Sequence, residues 1–213
     1  MQAEARVRVG PCEVLLLGTI AGFVPDADRV RAALAGHKPD VLGLGVPADD
    51  LPTLRLLAEH PEKSGELPLL DEAEAHFQEL LKRYGPTRVP SPDLEAAQQV
   101  AAAAGIPLEA LDLDDLSHSA AYTKGMKVRH LVLASSRRKK ALRSGFPDAL
   151  GAYDLARRWD AALAVGPMRE LEREREREMA RRITGLAATS RRMLCIVPVA
   201  RLAGVVAALA SPA

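Results

Sequence analysis

Val14-Leu15-Leu16-Leu17-Gly18-Thr19 is the stretch on which the fold turns. Residues 13–17 form a short apolar run that ends in Gly-Thr, the form of a buried strand entering a tight turn. Downstream, Asp26 precedes Ala27, Val30, Ala33 and Leu34, spaced for one helical face and closed by Gly36. Pro39-Asp40 then introduces a second apolar run over 41–46, and Pro47, Asp49 and Asp50 open a loop. Strand, helix and strand in that order predict a βαβ unit with parallel strands. The fold class that follows is α/β, with a mostly parallel central sheet flanked by helices.

The rest of the chain extends this pattern. Residues 51–60 and 66–84 read as helices, the second with Leu70, Ala73, Phe77, Leu80 and Leu81 on its apolar side and Gly85-Pro86 as its stop. Ser91-Pro92-Asp93 caps a helix over 94–104, which halts at Gly105 before a strand at 106–111. Residues 114–145 carry a weaker, mostly helical pattern, with an apolar patch at 128–134 and the basic cluster Arg137, Arg138, Lys139 and Lys140. Helices are expected at 147–164 and 168–188. The second is long and heavily charged over 169–177, and its opposite charges at helical neighbour spacing read as a solvated face. A last buried strand at 193–197 and a closing helix at 202–209 complete the order. With no internal repeat and a length of 213 residues, the expectation is one domain over 1–213.

Composition narrows the function classes. Hydrophobic residues make up 48% and charged residues 27%, the balance of a globular chain. Aromatics are only 3%, so the core must be aliphatic and few rings are available to stack on bases. The 29 basic and 28 acidic residues leave a net charge of +1, so no global field draws the chain to nucleic acid or to an anionic membrane. Cys12 and Cys195, each flanked by apolar residues, read as buried free thiols, and a cytoplasmic location fits them. Residues 1–9 alternate charged and short apolar residues with no secretory h-region, and 193–210 is broken by Pro198 and Arg201, so no membrane span is expected.

The stretches Val14 to Ala21, Pro39 to Gly45, Asp93 to Asp112 and Glu174 to Gly204, in that order, resemble the TraB/PrgY/GumN (TIKI-like) family of metal-dependent hydrolases. The run from Val14 to Thr19, continued by Ile20-Ala21, is similar to the family's first strand and its Gly-Thr-x-His turn, with Ala21 where the histidine belongs. Pro39-Asp40-Val41-Leu42-Gly43-Leu44-Gly45 resembles the second strand, with Gly45 in place of a glutamate. Asp93 to Ala104 with Pro107 to Asp112 is similar to a helix and strand ending in an Asp-Arg pair, Leu113 replacing the arginine. Glu174-Arg175-Glu176, Met179-Ala180 and the run from Met193 to Gly204 resemble the family's Glu-Arg-Asp helix, last strand and second Gly-x-x-His turn. There Pro198 replaces the glycine and Arg201 the histidine. The resemblance implies a TraB/EreA/ChaN-like fold over nearly the whole chain, and a degenerate one. A hydrolytic metal needs lone-pair donors; alanine and glycine have none, and a guanidinium repels a cation. Neither a metal nor any other cofactor is therefore expected.

The expected site is a crevice at the strand ends, lined by Gly18, Thr19, Ala21, Gly45, Val46, Pro47 and Arg201. Arg201 would offer a positive charge there to an anionic small molecule or a peptide carboxylate. The expected function is a noncatalytic binding or regulatory module. The alternative is a metal-dependent hydrolase with a relocated site at Asp112, Asp114, Asp115 and His118, whose plainer reading is a polar turn that caps the next helix. A third reading is a homodimer or assembly subunit, drawn from Val205, Val206, Leu209 and the apolar residues of 155–163. His37, His60 and His76 lack a second ligand at helical spacing, and His130 reads as a satisfied interior imidazole. Arg137 to Lys140, joined by Arg129 and Arg143, would meet phosphates or an acidic partner if they are more than solvated surface. Gly18-Thr19 is no phosphate cradle, since neither a Walker lysine nor Gly-x-Gly-x-x-Gly accompanies it.

Overall fold

A computed structural model describes residues 3–59 and 70–211. His60 and the first residues of the helix expected at 66–84 lie outside that range. The architecture is a five-stranded, mostly parallel sheet flanked by helices, in the order β1-β2-β5-β3-β4. Strands β2 (Cys12–Thr19), β5 (Arg192–Pro198), β3 (Val41–Leu44) and β4 (Leu108–Ala110) run parallel. The edge strand β1 (Glu4–Val9) pairs antiparallel with β2.

β1 was not among the expected strands, although its signal is plain in hindsight. Ala5, Val7 and Val9 alternate with Glu4, Arg6 and Arg8, the period of a strand with one face covered. Gly10, at φ 57°, supplies the left-handed turn that folds Val9 opposite Cys12.

The continuous apolar runs of β2 and β5 follow from burial on both sides. On one face, Val14, Leu16, Met193, Cys195 and Val197 pack against helices α8 (Gly166–Ala187) and α9 (Leu202–Ala210). On the other, Leu15, Leu17, Leu194 and Ile196 meet α1 (Pro25–His37) and α4 (Pro92–Ala104). α1 runs on through Gly36, the expected stop, and ends where Lys38 takes the left-handed conformation at φ 50°. Cys12 and Cys195 are free and buried. Val205 is fully buried and Val206 and Leu209 pack on the same core, while Leu155 is fully buried in another cluster. Of the apolar residues from which an assembly surface was expected, Val205 and Leu155 are interior, and Val206 and Leu209 are partly buried.

Beyond the strand tips, α3 (Glu72–Leu81) and α7 (Ala152–Leu163) close a third cluster around Ile20, Phe23, Leu81, Leu155 and Val199. Asp71 starts α3 with a reciprocal capping box to Glu74. The remaining helix on this side of the sheet order, α2 (Asp50–Glu59), packs on α4.

The region 114–145 forms α5 (Asp115–Gly125) and α6 (Val128–Ser144). No described residue of α5 is buried, and Ala141 is the buried one in α6. The patch at 128–134 is no core segment: Val128, Leu131, Val132 and Leu133 are exposed, and His130 sits on the first turn of α6, its Nδ1 accepting from the Lys127 N–H at 3.2 Å. Among the described residues, no helix is long and apolar enough to cross a membrane.

Candidate functional site at the strand tips

Parallel pairing brings the carboxyl ends of β2, β5 and β3 to one edge. Thr19 sits opposite Pro198, and the Val199 N–H donates to the Thr19 carbonyl at 2.9 Å. Gly45 donates to the Ile196 carbonyl at 2.7 Å. A Cβ at Gly45 would lie 2.9 Å from Pro198 Cδ and 3.1 Å from Val197 Cα, so no longer side chain fits there without a backbone shift. Gly18 is buried, with a virtual Cβ 3.2 Å from Leu202. Ala21 is exposed just beyond the tip, its carbonyl taking a hydrogen bond from Gln78 Nε2 at 2.8 Å.

On the β2 side, polar groups are fastened inward. Asp26 is fully buried on α1; its Oδ2 accepts from the Ile20 N–H at 2.7 Å and its Oδ1 from Arg29 at 2.6 Å and from the Tyr153 hydroxyl. Arg29 also donates to the Gly18 and Ala3 carbonyls at 3.0 and 3.2 Å and lies over the Tyr153 ring. Burial, then the hydrogen bond to Asp26, raises the Tyr153 phenol above its ordinary range, keeping it a donor. Thr19, expected to line an open crevice, is 5% exposed and lies beside Asp93, whose carboxylate accepts from the Ser91 hydroxyl. Burial raises the Asp93 carboxyl.

On the β4 side a chain of alternating charges runs across the edge. Asp112, just past β4, is fully buried; Arg175 of α8 grips it with Nε at 3.0 and 3.1 Å from the two oxygens and with a second, shorter contact through its terminal nitrogen. Arg175 also bonds Glu172 at 3.3 Å, and Glu172 in turn holds Arg201. Burial opposes the Arg175 charge, but Asp112 and Glu172 outweigh it and raise its pKa. Asp160 of α7 and Glu176 of α8 complete the group. Both carboxyls titrate above their ordinary values, through burial first, with Glu172 adding repulsion and Arg201 opposing. Asp112, Glu172, Asp160 and Glu176 face Arg175 and Arg201, and Arg173 also acts on Glu176. Arg201, expected as a free positive charge, is already paired.

The relocated metal site does not assemble. Asp112 is enclosed by Arg175, and Asp114 caps α5 by accepting from the Ser117 N–H at 2.7 Å, a bond that lowers its pKa. Asp115 is exposed with its N–H on Asp49, and His118 lies partly buried a turn further on. Among the described residues, no group of three or more His, Cys, Asp or Glu side chains is placed to hold a metal ion. Elsewhere, His37 Nε2 lies 3.1 Å from the Met193 carbonyl, and His76 packs beside Trp159 with its Nε2 buried and unpartnered among the described residues.

The network was legible in part. Arg175 falls on the i, i+4 row Leu171, Arg175, Met179, Ile183, whose other members are buried, so a charge on an apolar stripe marked it. Asp26 begins the same kind of row with Val30 and Leu34. Asp160 carried no comparable signal. No protein-family model matches the chain, and no curated protein matches it.

Proposed function

We propose that the chain is a noncatalytic binding or regulatory module, a degenerate relative of the TraB/PrgY/GumN proteins whose strand-tip site has lost its metal donors. The observation that carries this reading is convergence: the stretches that bear the resemblance, far apart in sequence, meet at one sheet edge. Thr19 pairs with Pro198, Gly45 abuts Pro198, Asp112 donates its N–H to the Val46 carbonyl, and Arg175 and Glu172 link Asp112 to Arg201. Open α/β sheets place ligands at this edge. What stands there offers salt bridges in place of lone pairs aimed at a cation.

Glu172 already accepts from Arg201 Nε, so an anionic small molecule or a peptide carboxylate bound at Arg201 competes with Glu172 for one guanidinium. Calorimetric titration with zinc and manganese tests the noncatalytic part: no stoichiometric heat is expected, and a stoichiometric site abolished by replacing Asp112 would restore the hydrolase reading. Glu172→Gln tests the anion part. It should strengthen acetate binding at Arg201, and equal binding in the two proteins would remove Arg201 as the receptor.

A further inference from the structure

We infer that a second site, between α6 and α7, takes a small amphipathic carboxylate. It rests neither on the family resemblance nor on Arg201. A cavity of about 310 Å³ opens between α6 and α7, lined by Arg137, Lys140, Ala141, Ser144, Phe146 and Ala162. This lies at the small end of the range of ligand pockets, roughly 300 Å³ and up.

Its two halves differ in chemistry. Arg137, Lys140 and Ser144 follow at i, i+3 and i+7 on α6, so their cationic and hydroxyl groups share one face. Among the described residues, no acidic residue lines the cavity, and α6 contains none. Arg137 is steadied by a hydrogen bond to the Ala164 carbonyl, whereas Lys140 is exposed and has no partner among the described residues. An unneutralised ammonium beside a fixed guanidinium is a receptor for a carboxylate head group.

Ala141, Ala162 and Phe146 form the apolar half. Phe146 holds φ at 48°, a conformation costly for a bulky side chain, and its ring packs edge-on to Trp159 with centroids 5.9 Å apart. The strained residue thus keeps an aromatic wall under the cations. A hydrocarbon tail lying on that wall would displace water while its carboxylate pairs with Lys140.

Trp159 is the single tryptophan and touches the wall, so its emission reports occupancy. The full chain is titrated with octanoate at fixed ionic strength, with inorganic phosphate as the comparison. The expected result is a saturable change with octanoate and none with phosphate, weakened about tenfold or more by Lys140→Gln and unchanged by Lys139→Gln, a neighbouring exposed cation outside the cavity. Absence of saturation, equal saturation by phosphate, or equal weakening by the two substitutions would each overturn the proposal.

Discussion

Asp26 and Asp112 are both fully buried and both held by an arginine, yet the two surroundings differ in kind. Asp26 is satisfied from several directions: a backbone N–H, the Tyr153 hydroxyl and Arg29, which also donates to neutral carbonyls. Asp112 has the Leu113 N–H and otherwise depends on Arg175, and that arginine passes its charge to further ions, Glu172 and then Arg201. The first arrangement is closed and serves the fold. The second ends beside Asp160 and Glu176, carboxyls raised chiefly by burial, so its charges are spread over several elements and not closed on themselves.

The largest effect that separates the two comes from removing each arginine. Arg175→Ala leaves Asp112 buried without its countercharge and should cost about 3–5 kcal/mol. Arg29→Ala leaves Asp26 its tyrosine and backbone donors and should cost about 1–3 kcal/mol. Urea denaturation of both variants measures the gap, and equal losses would erase the distinction between a closed and an open cluster. Next in size, Gly45→Ala forces a Cβ against backbone and proline at the strand tip. A loss of about 1–3 kcal/mol is expected, and a neutral result would mean that the edge yields more easily than its contacts imply.

Titration sharpens the comparison with opposite signs. The Asp160 carboxyl is raised from 3.8 by burial and by Glu172, so the folded state binds that proton more tightly. Its contribution favours folding at low pH and is lost as pH climbs from 3.8 through the raised value. Glu178 is lowered from 4.5 to about 2 by its hydrogen bond from Arg181, with Arg182 assisting. Its contribution is present above 4.5 and lost as pH falls toward about 2. Asp160→Asn should therefore gain on wild type at neutral pH by about 1 kcal/mol and lose that advantage in acid, while Glu178→Gln should lose about 1 kcal/mol or less at neutral pH and converge in acid. Parallel curves for the two variants would refute the assignment.

The sheet was readable because burial on both faces writes itself as unbroken apolar runs, and the β2 and β5 runs at 13–17 and 193–197 needed only a residue or two at each end. Local rules failed where distance in sequence mattered. Arg175 and Asp112 are 63 positions apart, and the heavily charged helix hides this inward arginine among exposed charges. Arg201 read as a free cation because its partner Glu172 belongs to a different element, and Thr19 read as open because nothing local announces that it will be buried beside Asp93. β1 went unrecognised since an edge strand buries one face and shows alternation in place of a run.

Gly204→Ala gives the smallest expected change and the finest probe of the open cluster. A Cβ there would fall 2.0 Å from the Glu176 carboxyl carbon, so the two cannot coexist as they stand. Because the obstacle is the end of a flexible side chain, Glu176 should swing aside at a rotamer cost of about 0.5–1.5 kcal/mol. Alanine's better helix propensity returns about 1 kcal/mol. Stability should consequently stay within about 1 kcal/mol of wild type, while the Glu176 carboxyl, drawn out from beside Glu172, titrates closer to 4.5. Carboxyl NMR titration with a denaturation curve reads both quantities. A large loss of stability would mean that Glu176 is wedged in place and the open cluster is as rigid as the one around Asp26.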